Sequence, residues 1–410
     1  MPTEAGVGYS EKTNSRDAGI QAAKAAMEQA GIQKCDLAIV FATSKHDPIL
    51  LREGIRSVIG ETTPLFGGGV VGVITNENLG YEGYSVGVAV LSSEIIQFDL
   101  FKESEIADRE YETGLNLGRQ IKSKQYEGRQ NILLVYDIIK KGLLSEGSSM
   151  NMAAPLLKGM TESLGQWPQS AGGGIMGSMQ WTPPFQYIDN EIIEKSAMAL
   201  VLSGDVRLDT ITIHGCKPSS RYYTITKVDR NTILELDGKP TLEVIAQMLG
   251  PESDKSWQDY PLFITLGVNQ GDKFGEYVED DYAVRLCMDV DRERRGLVMF
   301  GDDLTPGTDV QLMRRSIDFD YIKKRADELK QRIGDAKPFL AFYIDCAGRI
   351  SSFSSAERED AEEIQKALNN QVPLLGWYVG CEIARAGEQM QSHNWTGILC
   401  FLSEEKNVEQ

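Results

Sequence analysis

Positive charge is in short supply in this sequence. Of 410 residues, 42 are Lys or Arg against 60 Asp or Glu, a formal net charge of -18. Such a surface repels phosphate backbones and anionic headgroups, which argues against nucleic acid and membrane surfaces as partners. Histidine is scarcer still: His46, His214 and His393 are the only copies, and no two lie at helical i, i+3 or i+4 spacing. An H-E-x-x-H metal helix is therefore not written. The six cysteines, Cys35, Cys216, Cys287, Cys346, Cys381 and Cys400, form no C-x-x-C pair. That removes the zinc ribbon and the thioredoxin motif, and scattered cysteines fit a reducing cytoplasm. No uncharged apolar run reaches the roughly 18 residues a membrane span needs. The start, MPTEAGVGYSEKTNSRDAG, lacks the basic and apolar blocks of a leader. A cytoplasmic location is the expectation.

Catalytic signatures are missing as well. There is no phosphate loop ending in Lys-Ser/Thr, no G-x-S-x-G elbow and no kinase motif. The acidic stretches EDDYAV and FGDDLTPGTD lack the EF-hand pattern and read as solvated loops. The expectation is a protein that is not an enzyme. What is present is ordinary globular material, 41% hydrophobic and 25% charged. That suffices for a large core without disulfides, and the length suits two or three domains or one large two-part unit.

One pattern recurs three times. The first copy runs from DLAIVFAT (36–43) through a helical stretch to TPLFGGGVVG (63–72) and the strand-like GYSVGVAVLSS (83–93). The second runs from NILLVYD (131–137) to PQSAGGGIMG (168–177) and SAMALVLSG (196–204). The third runs from PFLAFYIDCAGR (338–349) through SSAEREDAEEIQKALNN to VPLLGWYVGCEI (372–383) and WTGILCFLS (395–403). Each reads as strand, helix, short strand into a Gly-rich turn, and returning strand. The first strands are near-continuous apolar runs, as expected of strands buried on both faces. A crossover helix implies a parallel pair, and the returning strand makes the sheet mixed.

AGIQAAKAAMEQAG (18–31) reads as a helix stopped by its glycine, and SSAEREDAEEIQKALNN as a serine-capped helix with an acidic first turn. Between the second and third copies, residues 205–318 read as short strands with a D-G hairpin turn at Asp237–Gly238 and a helix, an antiparallel β region. The fold class is thus α/β, with repeated strand-helix-strand-turn-strand units in mixed sheets and an added antiparallel region. The expected modules are 1–215 and 216–410, packed together because no low-complexity linker divides them.

Two GGGxxG segments, Gly67, Gly68, Gly69 and Gly72, and Gly172, Gly173, Gly174 and Gly177, permit close backbone approach, either to a neighbouring strand or to a ligand. Cys346, Gly348 and Arg349 end a core strand, where α/β sheets place ligands. Arg349 can clamp a carboxylate or serve a structural salt bridge with Asp345 or Glu382. Gly376, Tyr378, Gly380 and Glu382 follow on the next strand and its turn. Arg349 with Glu382 would suit a zwitterionic, amino-acid-like ligand. Cys346 can be a buried small residue, a thiolate ligand or a nucleophile.

The opening GVGYSEKTNSRDAGIQAAKAA, the DLAIVFATSKHD strand, PLFGGGVVGVIT and QSAGGGIMG resemble the FIST N family. IDCAGRI, PLLGWYVGCEIA and HNWTGILCFLS resemble FIST C. The resemblance covers nearly the whole chain. It implies an input module that binds small ligands in signalling proteins. Some similar members are haem-binding nitric-oxide sensors that regulate a histidine kinase. Haem b is therefore a candidate cofactor, with His393 and His46 as candidate axial ligands. No kinase, cyclase or coiled-coil segment is read in the sequence, so any signal is expected to pass to a separate partner such as a histidine kinase. The competing readings are a Cys346-dependent enzyme and an interaction scaffold.

Overall fold

The computed structural model describes residues 3–81, 83–140, 150–250, 264–316, 318–354 and 357–404. Each sequence copy builds the middle of a six-stranded sheet. In the first, Leu37–Thr43 pairs in parallel with Leu65–Val70 and antiparallel with the return strand Val86–Ser92. In the second, Arg129–Asp137 pairs the same way with Gln169–Ile175 and Ser196–Gly204. In the third, Pro338–Cys346 lies between Leu374–Val379 and Gly397–Glu404. A leading strand flanks each return strand: Glu4–Ser10, Ile96–Ser104 and Val206–Ile213. The mixed sheets expected from the sequence are all present.

The far edge of each sheet comes from a different repeat. The hairpin Val73–Thr75 and Leu79–Gly80 of the first repeat pairs with Leu374–Val379 of the third. The hairpin Gln186–Ile188 and Glu191–Ile193 of the second pairs with Leu65–Val70 of the first. The hairpin Cys381–Ala386 and Gln389–His393 of the third pairs with Gln169–Ile175 of the second. The exchange is cyclic. Each repeat covers a strand edge that its neighbour would otherwise leave unpaired.

The glycine triplets explain how these hairpins fit. Sequence alone reads them as turns, but Gly67–Gly69 and Gly172–Gly174 lie inside strands Leu65–Val70 and Gln169–Ile175. A Cβ on Gly67 would come within 1.8 Å of the Val40 carbonyl oxygen, and one on Gly172 within 1.9 Å of that of Leu134. A Cβ on Gly68 would meet the Phe185 carbonyl of the incoming hairpin at 2.4 Å. Backbone crowds the first two glycines of each triplet, and side chains crowd the third, Ser44 and Phe185 at Gly69 and Tyr136 at Gly174.

Helix pairs cover the outer faces: Ser15–Ala30 with Pro48–Ile59, Glu110–Ser123 with Ala153–Leu164, and Asp320–Ile333 with Asp360–Leu368. The first begins with Asn14 accepting from the Asp17 N–H at 3.0 Å and ends at left-handed Gly31, the stop expected from the sequence. The helix expected from the serines at 354 and 355 instead starts at Asp360, with Ser351–Ser354 forming a separate turn of helix. Ser355 and Ala356 lie outside the described residues. The inner faces of all three sheets meet in one core, where Trp377 of the third repeat stacks on Phe41 of the first at 4.0 Å, in company with Leu133 and Ile175 of the second.

The third repeat carries an insertion between its leading strand and its first helix. There an antiparallel sheet closes on itself. Its strands are Asp309–Arg315, Tyr223–Asp229, Thr232–Leu236, Gly296–Met299, Tyr282–Asp291 and Thr265–Asn269, and the last pairs back to the first. The D-G turn forms as read, with Asp237 and Gly238 both at positive φ. The first three residues of the expected segment PLFITLGVNQ lie outside the described residues.

The acidic stretch EDDYAV, read as a solvated loop, instead docks this barrel, and FGDDLTPGTD makes an ion pair within it. Asp280 accepts from the Thr212 N–H at 3.1 Å and hydroxyl at 2.8 Å, and pairs with Arg325 and Arg332. Burial works against its charge, but Arg325 and Arg332 hold its carboxyl below the usual range. Asp303 pairs with Arg285, which is 3% exposed. Among the described residues, no helix is long and apolar enough to cross a membrane.

Candidate functional site

Parallel strands Pro338–Cys346 and Leu374–Val379 end side by side, and their C-terminal ends open toward the barrel. In open α/β sheets this end is where backbone turns away and leaves room for a ligand. Here the room is an apolar cavity of about 190 Å³. Cys346, Ala347 and Gly348 form one wall, and Val379 and Gly380 the next. Met176, Met179 and Trp181, which follow the second glycine triplet, form the third wall. Leu286, Met288 and Phe300 of the barrel close it, with Phe353, Asn394 and Trp395 at the remaining sides. Trp181 and Phe300 approach ring to ring at 6.0 Å, so repeat and barrel touch across the cavity. Asn394 fastens the same seam: its Oδ1 accepts from the Leu286 N–H at 3.1 Å and its N–H donates to the Val284 carbonyl at 3.1 Å.

A polar groove of about 500 Å³ runs nearby, between helix Ala153–Leu164, the barrel and the hairpin ending at His393. It shares Arg285, Asp303 and Ser392 with a small void whose wall includes Phe300 and Asn394 of the apolar cavity. Arg285 is fully engaged there, donating to Asp303, to the Ser392 carbonyl at 2.6 Å and to Gln391 at 3.2 Å.

Of the residues singled out from the sequence, Cys346, Gly348 and Gly380 line the cavity. Arg349 does not reach it: the guanidinium is buried and held by Asp360, by Asp345 at 3.3 Å, and by the carbonyls of Ile213 at 2.6 Å and Trp395 at 3.2 Å. Burial pushes the Asp345 carboxyl up to about 6, with Arg349 and Arg315 pulling against it. Tyr378 points its hydroxyl at Glu359, 2.6 Å away, and Gly376 gives room to the Tyr343 carbonyl.

Glu382 lies fully buried opposite Gly173, where its Oε2 accepts from the Thr396 N–H at 3.2 Å. Burial raises its carboxyl well above the usual range, which favours the neutral acid. Neither Arg349 nor Glu382 lines the cavity, so the two do not meet a zwitterion there. Gly67, Gly68, Gly69, Gly172, Gly173 and Gly174 stay within their sheets, and Gly72 makes room for Tyr81. The two triplets do not converge on one cleft. Only the second leads into the cavity, through Met176.

Burial raises the Cys346 thiol well above its usual range, which disfavours the thiolate a nucleophile needs. The histidines are buried too. His393 Nε2 lies 3.3 Å from the Ala384 carbonyl, and burial beside Arg285 lowers its pKa to about 3. His46 Nδ1 lies 3.1 Å from the Ser15 hydroxyl. His214 is held between the Glu279 carbonyl at 3.2 Å and the Cys216 N–H at 2.9 Å. Neither His46 nor His393 lines the apolar cavity. A cavity of about 150 Å³ holds benzene, and a porphyrin is several times larger. These donors and this cavity do not fit haem.

Sequence reasoning missed the rest of the lining, Met176, Met179, Trp181, Met288, Phe300 and Trp395 among it. Isolated apolar residues on separate elements read as core. The one available signal was IMG directly after the second glycine triplet.

A family model described as FIST N domain matches residues 36–239, and one described as FIST C domain matches residues 241–385. An uncharacterized protein of Methanocaldococcus jannaschii is 26% identical over 254 residues, covering 55% of this chain and 47% of that protein. An uncharacterized protein of Mycobacterium tuberculosis is 22% identical over 242 residues, covering 56% of this chain and 60% of its own length. The chain thus spans about half the length of these relatives. Among solved structures, a chorismatase aligns over 98% of this chain and 99% of its own, with 10% identity and a TM-score of 0.35. A cyanuric acid hydrolase from A. caulinodans aligns over 50% and 71%, with 11% identity and a TM-score of 0.26. Likeness at that level carries no argument about this chain. The cavity walls draw on both matched segments, Met176 to Trp181 from the first and Leu286 to Gly380 from the second.

Proposed function

The chain belongs to the FIST N and FIST C family, and on that premise we propose that it is a sensor of a small molecule bound in the cavity at the join of the two modules. FIST domains are sensory domains of signalling proteins. The observation that carries the reading is the composition of the walls: a space at the ends of two parallel core strands, closed by Leu286, Met288 and Phe300 of the inserted barrel. A molecule there touches both bodies at once.

Occupancy then matters mechanically. A ligand shifts a conformational equilibrium only if it binds the two states unequally. One that bridges the repeat and the barrel favours the docked arrangement over a loosened one, because loosening removes one wall of its site. The docked state would be read by a separate protein, and a histidine kinase in the cytoplasm is the partner proposed. The polar groove beside Arg285 and Asp303 supplies the outer, hydrated surface of the same seam.

The test is hydrogen exchange on the full chain with and without a bound small molecule. Protection confined to Tyr282–Asp291, Gly296–Met299 and the loop around Met176–Trp181 supports the reading. A ligand that protects only residues remote from the seam contradicts it.

A further inference from the structure

We propose that the mouth of the inserted barrel binds a small monoanion with an apolar tail, a medium-chain carboxylate in class, whose head is received by Arg314 and Lys217. The site is separate from the cavity at the join of the modules: the two described linings share only Trp395.

The head group follows from strand pairing. Strand Cys216–Pro218 lies antiparallel to Asp309–Arg315 at the barrel edge, and its register sets Lys217 directly opposite Arg314. Directly opposed side chains share a face of the sheet, and like charges so placed repel. Among the described residues, this is the one strand register that opposes two like charges. Both side chains are exposed, and among the described residues neither has an acidic partner. Yet acids outnumber bases by 60 to 42 in this chain. An anion held between the two cations removes the repulsion and supplies charge-assisted hydrogen bonds.

The tail follows from where Arg314 points. Val310 and Leu312 belong to the barrel core, packed with Leu242, Val244 and Ile245 of helix Thr241–Leu249. Every second residue of a strand takes the same face, so Arg314 continues that face where the core runs out. There it borders a cavity of about 450 Å³. Met248, Leu249, Ile264, Leu312, Met313 and Phe319 supply its apolar surface, and Leu249 is 36% exposed. No acidic side chain is among the described lining residues. Arg315 also lines the cavity but is committed: its Nη2 donates to the Asp360 carboxylate at 2.8 and 2.9 Å and to the Tyr321 hydroxyl at 3.0 Å. That leaves Arg314, with Lys217 beside it, for a carboxylate head. The roughly 150 Å³ that holds benzene is a useful scale, and the larger volume here suits a chain of about eight carbons.

The experiment titrates the full chain by calorimetry with octanoate, butyrate, 1-octanol and octylammonium. Octanoate should bind about tenfold tighter than 1-octanol, the worth of one hydrogen bond to a charged group. It should bind at least about thirtyfold tighter than butyrate, whose short tail leaves the apolar walls uncovered. Octylammonium should bind more weakly than 1-octanol. A Lys217→Gln/Arg314→Gln double variant alters two exposed side chains and should fold as the parent does. It should bring octanoate down to the 1-octanol level and leave 1-octanol unchanged. A variant that keeps the preference, or octylammonium binding as tightly as octanoate, overturns the proposal. Butyrate binding as tightly as octanoate also overturns it, because the site is then two surface cations without a tail pocket. Met288→Trp fills the other cavity and should leave octanoate binding unchanged; loss of binding in that variant would move the carboxylate to the join and overturn this site while sparing the sensor reading.

Discussion

Gln186 and Glu382 hold the same place in two different repeats. Each lies opposite the middle glycine of a triplet-bearing or equivalent strand, Gly68 for Gln186 and Gly173 for Glu382. Each accepts from the N–H at the start of its own return strand, Ser196 at 3.1 Å and Thr396 at 3.2 Å. A neutral amide serves the second repeat where an acid serves the third. The shared role is acceptance of that N–H, which an amide oxygen at 382 would fill as well.

Glu382→Gln should therefore leave the fold intact, whereas Glu382→Ala, which orphans the Thr396 N–H, should cost about 1–3 kcal/mol. The pH dependence has a definite sign. Burial raises the Glu382 carboxyl in the folded state, so its contribution is full below the unfolded carboxylate range and is lost as pH climbs toward the folded value. Asp137, raised by burial to about 7, acts in the same direction. Urea melts at pH 5 and pH 8 should show the unaltered protein losing more stability than Glu382→Gln over that interval. Equal losses would contradict a neutral Glu382.

Arg349 is a structural cation. Replacing it with Ala leaves Asp345 buried without its ion-pair partner, leaves Asp360 to Arg315 and Tyr321 alone, and strands the Ile213 and Trp395 carbonyls. The expected cost is about 3–5 kcal/mol, read as a lowered urea midpoint. Arg349→Lys should recover little, because an ammonium cannot reach four acceptors in a plane. An Arg349→Ala protein of unchanged stability would show that these contacts do not hold the strand end.

The glycine triplets predict a severe steric effect. Gly172→Ala places a methyl 1.9 Å from the Leu134 carbonyl, within a parallel pair that has no slack. The variant should be insoluble or should melt far below the parent. Gly83→Ala meets nothing within 4 Å and should be neutral. Similar melting curves for the two would contradict the strand placement of the triplet.

Cys346 should resist a thiol reagent at pH 8 in the folded protein and react at once in urea, because only the thiolate attacks and burial keeps the thiol neutral. Rapid labelling of the native chain at Cys346 would contradict this and revive the nucleophile reading.

The three repeats and their mixed sheets were legible because DLAIVFAT, NILLVYD and PFLAFYIDC are continuous apolar runs. The cyclic exchange of hairpins was not, because Val73–Thr75 and Gln186–Ile188 are three-residue strands whose partners lie in other repeats. No local pattern records such a pairing. The role of Asp280 was hidden for a similar reason: EDDYAV looks solvated until Arg325 and Arg332 arrive from a later helix. At the site, Cys346, Gly348 and Gly380 could be found from their position at strand ends. Arg349 was misplaced because charge suggests a ligand contact, and its true partner Asp360 begins a helix 11 residues later. Met288 and Phe300 read as barrel core, since periodicity cannot distinguish a side chain facing a core from one facing a cavity.

The most direct test of the account is a thermal-shift comparison, across a set of small uncharged molecules, of the unaltered chain and Met288→Trp, which fills the cavity from the barrel side. A ligand of the folded state raises the melting temperature in proportion to its concentration relative to Kd. The account predicts a concentration-dependent rise for the unaltered chain that disappears in the filled variant. An identical rise in both proteins would contradict a ligand site at the join of the barrel and the repeats.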